Sequence, residues 1–217
     1  DDSWSISNIT MTGMVNASSF SCLIDYNDNL IISTMLDDGS YNNLTVITVN
    51  GSSVATDFIA VESDQETNLS LIKDDNNDLT LATLTSSGSL IVYEMANNSN
   101  IWNSILLTQP QGLSSANSIQ TFSGSIPLIA VNSELNSVYA KVSGTWQIVA
   151  DSFANDAHNF NLLKDDNNVF IFSNDLLTDS IHWSTMKFSE SRTFDTPWHH
   201  SAFDSLIADD GFSVLHQ

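Results

Sequence analysis

Short aliphatic strands alternate along the chain with turns rich in Asp and Asn, and one phrase of this pattern recurs five times. In each copy, aliphatic residues end one strand, a short polar turn follows, and a second strand begins. Neighbouring copies are 34 to 57 residues apart, and they start at Leu23, Leu71, Leu128, Leu162 and Leu206. A repeat of about 40–45 residues is typical of a propeller blade with four strands.

The pattern within each unit predicts four strands, A to D, and no helix. Strand A ends at the aliphatic pair, and strand B follows the polar turn. Ser, Thr, Asn and Asp favour such turns over helix interiors. The B–C turn is predicted to carry a glycine with positive φ, at Gly39, Gly88 and Gly144. Strand C is predicted to begin at a recurring tryptophan in most units.

The two ends of the chain are predicted to complete one another. The last copy, from Leu206, has room for two strands, and the segment Trp4–Thr10 resembles the missing part of that unit. The resulting prediction is an all-β, five-bladed β-propeller, whose last blade combines N- and C-terminal strands and leaves no long free edge. A β-sandwich is the alternative fold. The single domain spans 1–217, with units near 20–66, 67–117, 118–157, 158–202, and 203–217 plus 1–19.

Composition narrows the classes of partner. The net charge of −21 excludes a phosphate-binding basic face, so we expect no nucleic acid partner and no anionic membrane surface. No apolar run is long enough for a membrane span, so membrane insertion is not expected. With Cys22 as its one cysteine, the chain forms no intrachain disulfide. Few lysines and many Ser, Thr and Asn residues favour a secreted, extracellular protein.

Six Asn-x-Ser/Thr sequons are candidate glycosylation sites. Chance in a chain of this composition predicts about five, so their number does not show that any carries a glycan. The candidates are Asn8, Asn16, Asn43, Asn50, Asn68 and Asn97.

Recurring tryptophans are the candidate ligand residues. One interpretation is packing, in which each unit fills the same gap beside its neighbour. The other is a stacking platform for the apolar face of a sugar, with nearby carboxylates accepting hydrogen bonds from its hydroxyls. The candidate sugar-binding residues are Trp4, Trp102, Trp146, Trp183, Asp74 and Asp165.

No metal, cofactor or catalytic group is predicted. The turn phrase spaces oxygen ligands as calcium loops do, in Asp25-x-Asn27-x-Asn29 and in Asp74-x-Asn76-x-Asp78, but it lacks the glycine and distant glutamate of that motif. We therefore interpret it as a hairpin turn held by its own side chains, with calcium as the alternative. His199 and His200 are adjacent, and adjacent residues of a strand point to opposite faces. No catalytic motif is present, so we predict a protein that is not an enzyme.

In length, number of units and recurring turn phrase, the chain resembles five-bladed propeller lectins of the tachylectin-2 type. Members of that group bind N-acetylated sugars at repeated sites in the blades, so the resemblance implies a lectin-like protein with glycans as partners. One alternative is a structural subunit of an extracellular glycoprotein filament or coat that assembles head-to-tail through its terminal strands. The other is a glycosidase-like propeller.

Overall fold

The computed structural model describes residues 16–62, 66–85, 87–97, 99–107, 118–124, 126–132, 136–153, 157–165, 168–175, 180–188 and 194–204. Over these ranges the regular elements are all β-strands, so the all-β prediction is confirmed. None of the residues in these ranges forms a helix with the length and apolarity needed to cross a membrane. The predicted fifth unit lies largely outside the described residues.

Within the described residues, sixteen strands form four sheets, and each sheet is an antiparallel meander of four consecutive strands. Sheet 1 contains β1 (Asn16–Ile24), β2 (Leu30–Asp37), β3 (Asn42–Asn50) and β4 (Ser53–Glu62). Sheet 2 contains β5 (Glu66–Lys73), β6 (Leu79–Thr85), β7 (Leu90–Met95) and β8 (Asn103–Leu106). Sheet 3 contains β9 (Ser118–Phe122), β10 (Leu128–Asn132), β11 (Asn136–Val142) and β12 (Thr145–Phe153). Sheet 4 contains β13 (Ala157–Asp165), β14 (Asn168–Asp175), β15 (Ser180–Phe188) and β16 (Phe194–Asp204).

The recurring phrase marks the first turn of sheets 1, 2 and 4, but not that of sheet 3. The aliphatic pair at Leu128 was predicted to end a first strand, and this is wrong because it begins β10, the second strand. The first strand of sheet 3 is β9, which has the sequence Ser-Ile-Gln-Thr-Phe and contains no aliphatic pair. A repeat defined by one aliphatic doublet cannot separate first from second strands when both are buried.

Two further strand assignments are corrected. Trp102 and Trp146 were predicted to lead third strands, but Trp102 directly precedes β8 and Trp146 lies in β12, the fourth strands of their sheets. Trp183 does lie in a third strand, β15. Gly144 has the predicted positive φ, 81°, but it joins the third and fourth strands of sheet 3 rather than the second and third.

Successive sheets contact one another through their first strands. β1 lies beside β5, β5 lies beside β9, and β13 contacts sheet 3 through β10. Hydrogen bonds fix the first two contacts: the Leu71 amide donates to Ser21 Oγ at 2.9 Å, and the hydroxyls of Ser70 and Thr121 are 2.7 Å apart. Small hydroxyl side chains at these positions let the strands approach closely.

Among the described side chains, two apolar cores lie between consecutive sheets. The first core joins sheets 1 and 2, with Met35, Leu44, Leu81 and Tyr93 among its buried members. The second joins sheets 2 and 3 in the same way. Fully burying one such aliphatic side chain contributes about 1.5–3 kcal/mol. These cores therefore fix the angle at which each sheet meets the next. The buried members of the second core are Ala82, Leu84, Leu90, Val92, Leu107, Ile119, Ile129, Val131, Tyr139 and Trp146.

Candidate ligand-binding cleft

A cleft of about 160 Å³ opens between sheets 1 and 2, at the end where the β1–β2 and β5–β6 turns lie. Its floor is apolar, because the first core continues up to it. Ile31 and Leu79 are each the first or second residue of a second strand, and both are buried. The four apolar floor residues are Ile31, Val46, Leu79 and Met95.

The rim of the cleft is polar and carries two carboxylates. Asp57 comes from β4 and is exposed, and Thr48 comes from β3 and is half-buried. Most of the other rim groups belong to the two turns. A polar rim above an apolar floor is the usual construction of a small-molecule site. The polar lining residues discussed below are Asp25, Asn27, Thr48, Asp57, Asn77 and Asn97.

The β1–β2 turn is held by the carboxylate of Asp25. The backbone amides of Asn27 and Asn29 donate to Asp25 Oδ1 at 2.8 and 2.9 Å, and Asn29 Nδ2 donates to Oδ2 at 2.8 Å. Asp28 adopts a positive φ of 59°, which Asp tolerates better than bulky residues do. Asp25 thus has the predicted role of an Asx side chain that stabilises a hairpin turn.

Partial desolvation raises the pKa of Asp25, but hydrogen bonds from Asn29 and Asn27 and the charge of Lys73 lower it by more. The net effect is a pKa below its ordinary value of 3.8. Lys73 is fixed above the turn, because its Nζ donates to the Ile24 carbonyl at 2.8 Å and lies 4.0 Å from the Tyr26 ring centroid. The carboxylate therefore stays ionised.

The β5–β6 turn repeats this geometry around Asp74. The amides of Asn76 and Asp78 donate to Asp74 Oδ1 at 2.8 and 2.9 Å. Asn77 has a φ of 65°, and its Oδ1 is a buried acceptor without a hydrogen-bond partner among the described residues. Because Asn77 lines the cleft, a bound donor group is one way to satisfy this oxygen.

The loop after β7 closes the third side of the cleft. The Asn97 amide donates to Asp78 Oδ1 at 2.6 Å, and Asn97 Nδ2 donates to the Asn76 carbonyl at 3.0 Å. These two bonds attach the loop to the β5–β6 turn. The cleft is thus formed by two equivalent turns and one loop, all held by their own hydrogen bonds.

Trp146 is a packing residue of the second core. Its side chain is 9% exposed, and its Nε1 donates to Glu94 Oε1 of sheet 2 at 2.8 Å. The same carboxylate oxygen lies 2.8 Å from Lys141 Nζ. A ring buried in this way offers no open face for a sugar, which favours the packing interpretation at this position.

Trp102 occupies a related place beside the first core. It is half-buried against that core, and its Nε1 is buried without a partner among the described residues. Neither Trp102 nor Trp146 lines the cleft. The turn of Asp74 does reach it, through Asn77.

Two other predicted ligand residues belong to strands of sheet 4, whereas the cleft lies between sheets 1 and 2. Trp183 pairs with Phe172 and Ser201 in sheet 4, and Asp165 ends β13. Trp4 lies outside the described residues. The sequence analysis missed Asp57, which lies in the fourth strand, where the apolar pattern is weakest. The available signal was the turn phrase itself, since Asp25, Asn27 and Asn77 all belong to it.

The sequons differ in their surroundings. Asn43 is 8% exposed, and its Nδ2 donates to the Leu36 carbonyl at 3.4 Å, so folding removes it from the surface. Asn50 is exposed at the β3–β4 turn, and Asn97 is exposed on the cleft loop. Asn16 begins β1 and Asn68 is half-buried on β5, while Asn8 lies outside the described residues. Among the sequons whose side chains the structure describes, Asn50 is the position open to a bulky glycan, because Asn97 Nδ2 is bonded to the Asn76 carbonyl.

Across the described side chains, no three or more His, Cys, Asp or Glu residues lie close enough together to hold a metal ion. The two turn phrases that resembled calcium loops use their leading carboxylates, Asp25 and Asp74, for backbone amides instead.

No protein-family model and no curated protein matches the chain. Solved structures do match it in fold. The crystal structure of AofleA from Arthrobotrys oligospora aligns with a TM-score of 0.56 and 11% identity over 89% of this chain, and a triple arginine-to-alanine mutant of AofleA aligns with 0.54 and 11% over 88%. The WD40 domain of SCAP from fission yeast aligns with 0.52 and 11% over 81%.

The chain spans 59%, 58% and 43% of the length of these three structures. WD40 repeats each form a four-stranded propeller blade. At this identity the likeness establishes the fold alone. The chain therefore has a propeller-like fold made of four-stranded antiparallel sheets.

Proposed function

We propose that the protein is a secreted, non-enzymatic carbohydrate-binding β-propeller and that the cleft between sheets 1 and 2 is a sugar site. The observation that carries the proposal is the construction of the cleft, with an apolar floor at Ile31 and Leu79 below a polar rim. That rim includes Asn77 Oδ1, a buried acceptor without a partner among the described residues. One face of a sugar ring is apolar and its edge carries hydroxyl donors, so the two surfaces match. The resemblance of the turn phrase to lectin propellers points in the same direction.

The size of the cleft limits the ligand to about one sugar ring. At about 160 Å³ it is smaller than the roughly 300–1,000 Å³ of pockets that enclose drug-sized molecules. We therefore expect recognition of a terminal or single residue of a glycan. Weak binding at one site would need several copies of the protein, or several clefts, to produce useful avidity.

The charges of the cleft select the kind of sugar. Its rim carries the carboxylates of Asp25 and Asp57, and the nearby cation, Lys73, is held over the Tyr26 ring. Carboxylates accept hydrogen bonds from hydroxyls but repel other carboxylates. We expect neutral sugars to bind and sialic or uronic acids to be excluded.

A glycan array with wild-type protein and two matched variants tests this function. Asp57→Ala removes a rim carboxylate, and we expect at least about tenfold weaker binding, because a hydrogen bond to a charged group contributes about 1.5–3 kcal/mol. Asp75→Ala is the control, since Asp75 is an exposed acid of the β5–β6 turn that does not line the cleft. Equal binding by the two variants, or no binding by wild type to any neutral glycan, would contradict the proposal.

We also propose that the ring has five blades, the last of them built from both termini. The support is the spacing of the turn phrase and the stacking of four successive four-stranded sheets.

A secreted origin is testable on protein from its natural source. We expect enzymatic removal of N-glycans to lower the mass of the protein. In the Asn50→Gln variant, this decrease is expected to be smaller by the mass of one glycan.

A further inference from the structure

Asn50 is a sequon that the fold leaves open to modification. The Nδ2 atoms of Asn43 and Asn97 donate to the Leu36 and Asn76 carbonyls, at 3.4 and 3.0 Å. Asn50, by contrast, is the last residue of β3 and is exposed. Attachment of a glycan there breaks no bond of this kind.

The turn that follows Asn50 has room for a bulky group. Asn50 pairs with Ser53, so Gly51 and Ser52 form a two-residue hairpin loop. Gly51 has a φ of 57°, and such loops commonly have a glycine with positive φ at their first position. Apart from its chain neighbours, no heavy atom lies within 4 Å of the point where a Cβ of Gly51 would be. The sequon therefore occupies an open hairpin tip, as N-glycosylation requires.

The strand register places Asn50 on the cleft side of sheet 1. Alternate residues of a strand lie on one face, so Asn50 shares its face with Thr48, which lines the cleft. Two strand residues span about 6–7 Å, so Asn50 lies one row beyond Thr48. Val49 pairs with Leu30, the first residue of β2, so this end of β3 lies beside the β1–β2 turn, where the cleft opens.

We propose that an N-glycan on Asn50 covers the opening of the cleft and controls binding there. In its attachment, Asn50 Nδ2 forms a bond to the anomeric carbon of an oligosaccharide that is carried on a lipid diphosphate. The bond from that carbon to the diphosphate breaks, the lipid diphosphate leaves, and Nδ2 loses one of its two protons. The product is a bulky, polar chain attached one row from Thr48.

A glycan at this position acts on the cleft in two ways. It fills the space in front of the lining residues Thr48 and Asp57, and it holds its own sugar rings beside the cleft. Groups on a short flexible tether reach an effective concentration in the millimolar range. Because the cleft has room for about one ring, its affinity for a free sugar is low, and tethered rings compete with that sugar. The position of the glycan follows from the strand register, whereas its effect on binding rests on the sugar site proposed above.

Thiol labelling measures whether the glycan covers the cleft, without any ligand. Cys22→Ser removes the one cysteine of the chain, and Asp57→Cys then places a thiol on the exposed rim. Ser52→Ala removes the sequon but keeps Asn50. In full-length protein from a eukaryotic secretory host, we expect a bulky maleimide to react with position 57 at least about threefold more slowly when the sequon is intact, because a surface glycan is bulky.

A thiol at the other end of sheet 1 is the control for labelling. Tyr41→Cys, in the same Cys22→Ser background, lies between β2 and β3, and the native residue is 60% exposed. Its labelling rate is expected to be the same with and without Ser52→Ala. A glycan that slowed both positions equally would not lie at the cleft, and this result would overturn the proposal.

Binding of the neutral glycans of an array tests the control of the site. Protein with Ser52→Ala is expected to bind them at least about threefold more tightly than glycosylated wild type, because the tethered competitor is absent. Asn50→Gln is expected to give the same gain, which separates loss of the glycan from a local effect of either substitution. Asn16→Gln removes the sequon at the start of β1, at the opposite end of sheet 1, and is expected to bind as wild type does.

The two measurements distinguish failure of the proposal from failure of the sugar site. An unmodified Asn50 in the mass spectrum of wild type would overturn the proposal, as would equal labelling of position 57 with and without the sequon. Equal glycan binding by wild type and Ser52→Ala would overturn the control of binding. Slower labelling of position 57, with no neutral glycan bound by either protein, would support the position of the glycan and contradict the sugar site.

Discussion

The interface between sheets 1 and 2 and the interface between sheets 2 and 3 use equivalent positions but end differently near the turns. Thr48 pairs with Ile31 in sheet 1, and Glu94 pairs with Thr80 in sheet 2; Ile31 and Thr80 are both second residues of their strands. Thr48 and Glu94 are therefore equivalent. Thr48 lines an open cleft, whereas Glu94 bonds to Trp146 and Lys141 of the next sheet.

The residues opposite Thr48 and Glu94, on the other side of each interface, also differ between the two interfaces. Met95 follows Tyr93 by two positions, and Lys141 follows Tyr139 by two, and both tyrosines belong to the core that faces the preceding sheet. Where a threonine lies opposite a methionine, space remains, and Trp102 Nε1 has no hydrogen-bond partner within the described part of the chain. A glutamate opposite a lysine fills the space and gives Trp146 Nε1 an acceptor. The two interfaces have the same backbone arrangement. The pair Thr48 and Met95 leaves a cleft in the first interface, whereas the pair Glu94 and Lys141 closes the second.

The largest expected difference between the interfaces comes from removing their tryptophans. Trp146→Ala is expected to lower the free energy of unfolding by about 3–5 kcal/mol, the usual cost of deleting a buried aromatic side chain. Trp102→Ala is expected to cost less, because Trp102 is only half-buried and its Nε1 makes no hydrogen bond among the described residues. Urea unfolding of both variants measures the difference. Equal losses would contradict the distinction between the two interfaces.

Giving the second interface the side chains of the first is the next test. Glu94→Thr leaves Lys141 and Trp146 Nε1 without their acceptor, and we expect a loss of about 1–3 kcal/mol. Adding Lys141→Met is expected to recover part of that loss, because an uncompensated charge is replaced by an apolar side chain. A double variant less stable than Glu94→Thr in urea would show that the ion pair is not what Glu94 contributes.

The reverse change is expected to have a smaller effect of opposite sign. Thr48→Gln places a neutral acceptor at the position equivalent to Glu94, opposite Trp102. We expect stability to rise by about 0.5–1.5 kcal/mol, the net value of one hydrogen bond. The longer side chain also occupies the cleft, so glycan binding is expected to be lost. Retained binding together with unchanged stability would contradict both the equivalence of the positions and the site.

The smallest expected effect is a pH dependence from the β1–β2 turn. The pKa of Asp25 is lowered in the folded state, so its contribution to stability is present above its ordinary pKa of 3.8 and is lost as the pH falls through the folded value. Asp25→Asn keeps a side-chain acceptor for the turn but does not titrate. Urea unfolding at pH 5 and at pH 2 is expected to show a larger loss for wild type than for the variant. Equal losses of stability in wild type and variant would mean that the titration of Asp25 does not contribute to the pH dependence.

Local chemistry made part of the fold predictable. Asp and Asn at fixed offsets after an aliphatic pair specify one turn, and the turns of Asp25 and Asp74 form as predicted because their side chains bond to amides only two to four residues away. The all-β class follows from the same residues. The strands of sheet 3 were assigned wrongly from the sequence, because the first turn of this sheet, which includes Gly124 and Ile126, does not carry the recurring phrase.

The tryptophans show the limit of the pattern. A recurring aromatic residue was visible in the sequence, but Trp183 lies in a third strand, Trp146 in a fourth strand and Trp102 directly before a fourth strand. Whether an indole packs or binds depends on which residue of the neighbouring sheet lies opposite. For Trp146 that residue is Glu94, 52 residues earlier in the chain.

The sequence by itself determined the strands, the polar turns, the acidic surface and the repeat that indicates a propeller, because each depends on residues close together in the chain. Only the tertiary structure decided where space remains between sheets. The cleft lies where Thr48 of sheet 1 and Met95 of sheet 2 line the same interface, although they are far apart in the chain. Such contacts join distant residues, and no local pattern specifies them.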